Sequence, residues 1–279
     1  MPKEKIAFQG EYGANSHIAC SQAYPDMDPL PCTSFAEALN AVENGQAKMG
    51  MIPIENNLAG RVADMHHLLP HTKLFIIGEY FLPIHFCLIG LKGTKKSDIT
   101  TVYSHIHALN QCRTIITNNK WEAVGCYDTA GAAKYIKEEK KEHNGALAPA
   151  LAAQIYDLEI LEKNVEDRAD NITRFVIVSK SPPTLTRKNP EEKITTTLLF
   201  RVRNVPAALY KALGGFATNN VNLTKLESYQ LGSSFRATQF LADIAGHPDD
   251  PMVKLALEEL NFFSEEVRIL GFYLSQKHS

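Results

Sequence analysis

This chain predicts an α/β fold in two parts, on three observations. Up to about residue 180, short β-branched runs alternate with helical stretches, the pattern of mainly parallel sheets. The segment "SKSPPTLTRKNPEEK" (179–193) then interrupts with three prolines and mixed charge, as a solvated linker does. Beyond it the order becomes β-α-β-β-α-β, a ferredoxin-like split unit of about 85 residues.

The elements follow in order. "EKIAFQ" reads as a strand and "NSHIACSQAY" as a helix. "SFAEALNAVENG" carries a capping box, Ser34 with Glu37 three residues on, and a stop at Gly45. "KMGMIPIE" is a buried strand and "RVADMHHLL" a helix. The apolar stretch "KLFIIGEYFLPIHFCLIGL" holds strands leaving one lobe and entering another. "TTVYSH", "AVGCYD" and "GALA" are strands, alternating with the helices "HALNQCRTIITN", "TAGAAKYIKEE" and "PALAAQIY". After the linker, "ITTTLLFRV" is a strand and "PAALYKALGGFATNN" a helix with Pro206 near its first turn. "LTKLESYQ" and "SFRATQFLADI" (strands), "PMVKLALEELNFF" (helix) and "VRILGFYL" (strand) complete the unit.

Composition excludes several functions. The chain has 279 residues, 44% hydrophobic and 22% charged, with a formal net charge of −2. That balance argues against non-specific nucleic-acid binding, which needs a basic surface. No apolar run reaches membrane-span length and "MPKEKIAFQG" has no signal-peptide core. The five scattered cysteines form no C-x-x-C pair, so we read them as reduced thiols of a cytoplasmic protein. His67 and His71 have metal-pair spacing but lack the glutamate of H-E-x-x-H, and a solvated helix face explains them better. Neither G-x-G-x-x-G nor a Walker sequence is present, so no cofactor and no metal is expected.

Four junctions share a design. "QGEYGANSH", "IENNLAGR", "YSHIH" and "YDTAGAA" each run from a strand through small, amide or hydroxyl residues into a helix. Ligands of open α/β sheets bind beyond the carboxyl ends of the strands. Helix N-termini there present unpaired N–H groups and partial positive charge, which suits carboxylates. Each junction alone reads as simple helix capping, but the four together point to an anion cleft between two lobes. "DNITRF" (170–175) fits such a cleft, with Asn171 and Thr173 on one strand face. Arg174 points the other way and is expected to brace the strand through Asp170 or Glu166.

"IPIENNLAGRV", "DTAGAA", "GALAPALAAQIYDL" and "EDRADNITRF", in this order, resemble prephenate dehydratases. "PAALYKALGGFATNNVNLTKLESYQ" resembles their C-terminal ACT regulatory domain. The resemblance implies a two-lobed, periplasmic-binding-protein-like catalytic domain over 1–180, with lobes of roughly 1–80 plus 165–180 and 81–164. A linker at 181–193 and an ACT domain at 194–279 follow. It implies that prephenate loses CO2 and water to give phenylpyruvate in phenylalanine biosynthesis, under feedback inhibition by L-phenylalanine, in a homodimer or homotetramer.

Carried over residue by residue, the resemblance makes Thr173, Glu55, Asn56 and Gln111 the catalytic candidates. Substrate contacts fall to Ser16, Asn57, Gly60, Ser104, Asp128, Thr129, Asn171, Arg174 and Phe175. Phenylalanine contacts fall to Ala208, Leu209, Asn222, Leu223, Glu227 and Ser228. The chain departs from the family at Asn57 (commonly Ser or Thr) and at "GANS", where a G-T-F-S turn is usual. It departs also at Ile106-His107 (Pro-Gln), Ala207 (Gly) and Tyr229 (Arg). Two alternatives stand beside this reading: an arogenate dehydratase, and a non-catalytic amino-acid or dicarboxylate sensor. The C-terminal module has its own alternative, dimerisation without regulation.

Overall fold

The structure, a computed structural model, describes residues 3–185, 192–230 and 237–276. Residues 186–191 of the expected linker and 234–236 of the expected strand "SFRATQFLADI" lie outside them. The chain forms two compact units, Met1–Met65 with Tyr80–Phe175, and His66–Glu79 with Val176–Ser279.

The first unit opens with β1 (Lys5–Gln9), α1 (Asn15–Ala23), β2 (Asp28–Cys32), α2 (Phe35–Glu43), β3 (Met49–Asn56) and β4 (Gly60–Arg61). Next come α3 (Ala63–Leu68), β5 (Phe75–Pro83), β6 (Cys87–Gly90), β7 (Thr101–His105), α4 (Ile106–Gln111) and α5 (Arg113–Asn119). It closes with β8 (Glu122–Cys126), α6 (Thr129–Glu139), β9 (Asn144–Ala148), α7 (Ala150–Ile155), β10 (Glu159–Lys163) and β11 (Ile172–Ser179). α3, β5 and β11 contribute residues to both units.

Two sheets give this unit two lobes. The first runs β2–β1–β3–β11, with β4 turned back antiparallel on β3. Its β1 pairs in parallel with both β2 and β3, and Ile6, Ala7, Phe8, Met51 and Ile52 are fully buried. The second runs β10–β6–β9–β7–β8 and packs on the alanine face of α6 and α7. Ala130, Ala132, Ala133 and Ala152 are fully buried there. Such small side chains bring the helix backbone close to the sheet.

Two local expectations are corrected, and one strand lies outside the expected elements. That strand, β2, is "DPLPC" and holds two prolines. It lies at the sheet edge, where a missing N–H costs no ladder bond. "HALNQCRTIITN" is two helices, broken at Cys112. Asp167, over fifty residues away, accepts from the Arg113 and Thr114 N–H groups at 2.9 and 3.0 Å and starts α5 afresh. In the α2 cap, Ser34 Oγ accepts from Glu37 N–H at 3.1 Å, but the Glu37 carboxylate accepts from Thr33 instead of returning to Ser34.

The second unit contains β12 (Ile194–Val202), α8 (Ala208–Thr218), β13 (Leu223–Gln230), β14 (Ala237–Ala245), α9 (Pro251–Phe263) and β15 (Ser264–Leu274). Their order is the expected βαββαβ, and the strands lie β13–β14–β12–β15, all antiparallel. Alternate residues Leu198, Phe200 and Val202 face Ala212, Phe216, Val253, Ala256 and Leu260 of the helices. Thr197, on the other face, donates to Asp243 at 2.6 Å and lies 2.8 Å from the Tyr273 hydroxyl. Among the described residues no helix is long and apolar enough to cross a membrane.

α8 starts at Ala208, so Pro206 precedes the helix instead of sitting in its first turn. Ala207 intervenes with φ +62°, a left-handed conformation. An L side chain there costs about 1–2 kcal/mol, partly offset because glycine is the more mobile when unfolded. Ala207→Gly is therefore expected to stabilise the chain by up to about 1 kcal/mol. Urea unfolding checks this through a higher midpoint at constant slope.

Candidate active site

β3 and β11 meet in a network of amides. The Asn56 Nδ2 group reaches Asn171 Oδ1 at 2.7 Å, Thr173 Oγ1 at 3.0 Å and the Ile172 carbonyl at 3.1 Å. Its Oδ1 accepts from the Leu58 and Ala59 N–H groups, which folds the "ENNLAG" turn back on the strand. Asn171 is buried and passes the chain on, donating from Nδ2 to Gln111 Oε1 at 2.7 Å. Each amide is thus held in one orientation. The Thr173 oxygen accepts from Asn56, so its own hydroxyl hydrogen is turned elsewhere. Gln111 accepts from Asn171 through its side-chain carbonyl, and its side-chain N–H groups make no hydrogen bond among the described residues.

Asn56, Gln111 and Thr173 border a cavity of about 550 Å³ within the first unit, while Asn171, expected as a substrate contact, is buried behind them and does not line it. Thr173, Asn56, Gln111, Ser16 and Gly60 line it, as do Asp128, Thr129 and Phe175. All four junctions end in residues of its wall: Ser16 on α1, the 59–64 turn, His105 and His107 where β7 runs into α4, and Thr129 at the first turn of α6. Asp128 caps α6, its Oδ1 accepting from Gly131 N–H at 2.7 Å and its Oδ2 from Glu11 N–H at 3.2 Å. A second cavity of about 490 Å³ adjoins the first through Ala59, His107 and Gln111.

Other expected residues do not line the main cavity. Ser104 is fully buried and donates to the Leu147 carbonyl at 2.5 Å, binding β7 to β9. Asn57 clasps Asp170 O and Ile172 N–H and so anchors the start of β11. Arg174 points away from Thr173, as strand alternation requires, but its partner is Glu55 at 3.0 Å. Asp170 is instead taken by Arg168, and Glu166 by His85 and the Phe86 N–H. Glu55 accordingly braces β3 against β11 in this structure.

Arg61, Asp64, His105 and His107 also line the cavity; none is among the expected site residues, although the junctions "IENNLAGR" and "YSHIH" contain all but Asp64. Arg61 and Asp64 follow directly on "ENNLAG", and that proximity was the available signal. His105 Nδ1 accepts from the His107 N–H at 3.3 Å. Burial first, and then the neighbouring His107, push its pKa below the usual histidine value, with Asp128 pulling the other way.

In the second unit, Ala208, Leu209 and Leu223 pack partly buried against the helix–sheet core. Glu227 lies 3.1 Å from Lys225, and Ser228 sits opposite Phe240 in the β13–β14 ladder. The Asn222 carbonyl accepts from the Ala245 N–H at 2.9 Å.

Comparison with known proteins follows the same division. The family model described as prephenate dehydratase matches residues 6–183. A bifunctional N-acyl-homoserine lactone acylase/prephenate dehydratase of Komagataeibacter europaeus is 51% identical over 96% of this chain and 95% of its own. The chloroplastic arogenate dehydratase/prephenate dehydratase 1 of Arabidopsis thaliana is 35% identical over 97% of this chain and 72% of its own. A crystal structure of prephenate dehydratase in complex with L-Phe from Arthrobacter aurescens is 31% identical. It superposes with a TM-score of 0.88 over 97% of this chain and 90% of that one.

Proposed function

The chain belongs to the prephenate dehydratase family, and we propose that Thr173 and its amide neighbours carry out that family's reaction in the cleft. Prephenate and one proton give phenylpyruvate, CO2 and water. The C–C bond to the ring carboxylate breaks, its electron pair enters the ring, and the ring hydroxyl departs. Aromatisation drives the step, so the difficulty is the poor leaving group, hydroxide. What carries the reading is the hydrogen bond from Asn56 to Thr173, which leaves the threonine hydrogen to donate to the departing oxygen. A threonine is too weak an acid to surrender that proton outright, so solvent completes the water molecule. Such assistance contributes roughly 10²–10⁴-fold, and the remainder falls to positioning of the substrate by backbone N–H groups and the Gln111 amide.

The C-terminal βαββαβ unit is proposed to bind L-phenylalanine through Ala208, Leu209, Asn222, Leu223, Glu227 and Ser228. The L-Phe complex of the Arthrobacter relative supports this. Phenylalanine would then lower activity by favouring an unproductive cleft, in a cytoplasmic homodimer or homotetramer. Five free cysteines fit a reducing compartment. The Arabidopsis relative is named for arogenate as well as prephenate, and the same ring chemistry serves either.

A second reading rests on the 51% identical relative, named also as an N-acyl-homoserine lactone acylase. One preparation tests both. Purified chain is expected to convert prephenate to phenylpyruvate, more slowly with L-phenylalanine present. Incubation with an N-acyl-homoserine lactone, followed for release of the free fatty acid, tests the second. A chain inert toward prephenate removes the first reading, and an unchanged rate with phenylalanine removes the regulatory one.

A further inference from the structure

The wall of the cleft carries two charges of opposite sign that the reaction above does not use. Arg61 ends β4 and Asp64 lies in the first turn of α3, three residues on. Both are exposed, and both line the cavity that holds Thr173 and Gln111. Neither side chain makes a hydrogen bond or ion pair among the described residues. The neighbouring acids are committed. Glu55, which sits opposite Arg61 in the β3–β4 ladder, is held by Arg174. Asp128 uses both oxygens on the N–H groups of Gly131 and Glu11. The cleft therefore offers one uncommitted guanidinium and one uncommitted carboxylate, on a single short segment.

Substrate chemistry gives that pair a meaning. The side chain of prephenate ends in a keto acid, a carboxylate beside a neutral carbonyl. Its amino analogue, arogenate, ends in a carboxylate beside an ammonium. A guanidinium serves the carboxylate of either. A free carboxylate repels the doubly anionic keto form and finds a partner only in the amino form. Resting on the reading of this cleft as the prephenate site, we propose that Arg61 and Asp64 read the substrate's head group, Arg61 holding its carboxylate and Asp64 the ammonium of the amino form. The cleft accordingly accepts arogenate as well as prephenate. The chemistry balances in the same way: arogenate and one proton give L-phenylalanine, CO2 and water, and the ammonium passes through unchanged.

The test compares kcat/KM for the two compounds in the parent chain, Asp64→Asn and Arg61→Gln. The parent is expected to turn over both. Asp64→Asn should lower the arogenate-to-prephenate ratio about tenfold, the scale of one charge-assisted hydrogen bond, as the arogenate value falls and the prephenate value rises. Arg61→Gln should raise KM for both. Thermal melts report whether each variant folds, and both side chains are exposed, so intact folding is expected. An equal change for both substrates in Asp64→Asn overturns the proposal, as does a parent that converts prephenate but not arogenate. A parent inert toward both defeats the family reading on which the proposal stands, an outcome distinguishable from the other two.

Discussion

Thr173→Ala is expected to lower kcat on prephenate by about 10²–10⁴-fold while the KM changes little. On the proposed mechanism the interaction lost is one made as the hydroxide departs, so its removal acts on the transition state more than on binding. The fold should tolerate the change. Asn56 loses one acceptor at 3.0 Å but keeps Asn171 Oδ1 and the Ile172 carbonyl, which suffice for its two hydrogens. Thr173→Ser keeps a hydroxyl and should recover much of the rate. Steady-state kinetics at saturating substrate, with calorimetric binding as a companion, check this. A Thr173→Ala chain within threefold of the parent would remove the hydroxyl from the mechanism.

Gly13→Ala is expected to cost about 2–6 kcal/mol of stability and to weaken substrate binding. Two penalties combine at this position. Its φ is +95°, and an L residue held there costs about 1–3 kcal/mol. A Cβ would also lie 2.8 Å from the Cα of Ala152, where α7 passes the start of α1. Backbone cannot yield as a side-chain end does, and overpacking of this kind costs about 1–3 kcal/mol more. The sum is a large share of a typical total of about 5–15 kcal/mol. Relief comes by pushing α7 away from the 10–16 turn, which displaces Ser16 and widens the cleft. Denaturant unfolding and KM measure the two consequences. Gly214→Ala is the control: its Cβ would meet nothing within 4 Å inside α8, and helix propensity predicts a neutral or slightly stabilising result. Equal behaviour of the two variants would show that the close approach at Ala152 carries no weight.

Much of the architecture was legible because its signals are local. The alternation of Leu198, Phe200 and Val202, the Ser34 and Asp128 caps, and the stop at Gly45 each lie within a few residues. The βαββαβ order followed from such signals alone. Failures came where a distant group intervened. Asp167 splits the helix expected at 107–118, and β2, for which no strand was expected, holds its two prolines at the sheet edge.

The candidate site divides in the same way. The ordered motifs marked the segments that supply it, and strand periodicity put Asn171 and Thr173 on one face with Arg174 on the other. Periodicity does not say which polar groups meet the cavity and which tie strands together. Ser104 turned to the Leu147 carbonyl, Glu55 went to Arg174, and Asp64 came to the wall from beyond the expected junction. These outcomes depend on partners that lie far apart in the chain, 119 residues in the case of Glu55 and Arg174. The sequence by itself determined most of the elements through short-range spacing, and the family through the order of its motifs. Only the tertiary structure decided how each polar side chain is used, because a buried donor or acceptor takes whichever partner folding brings within about 3 Å.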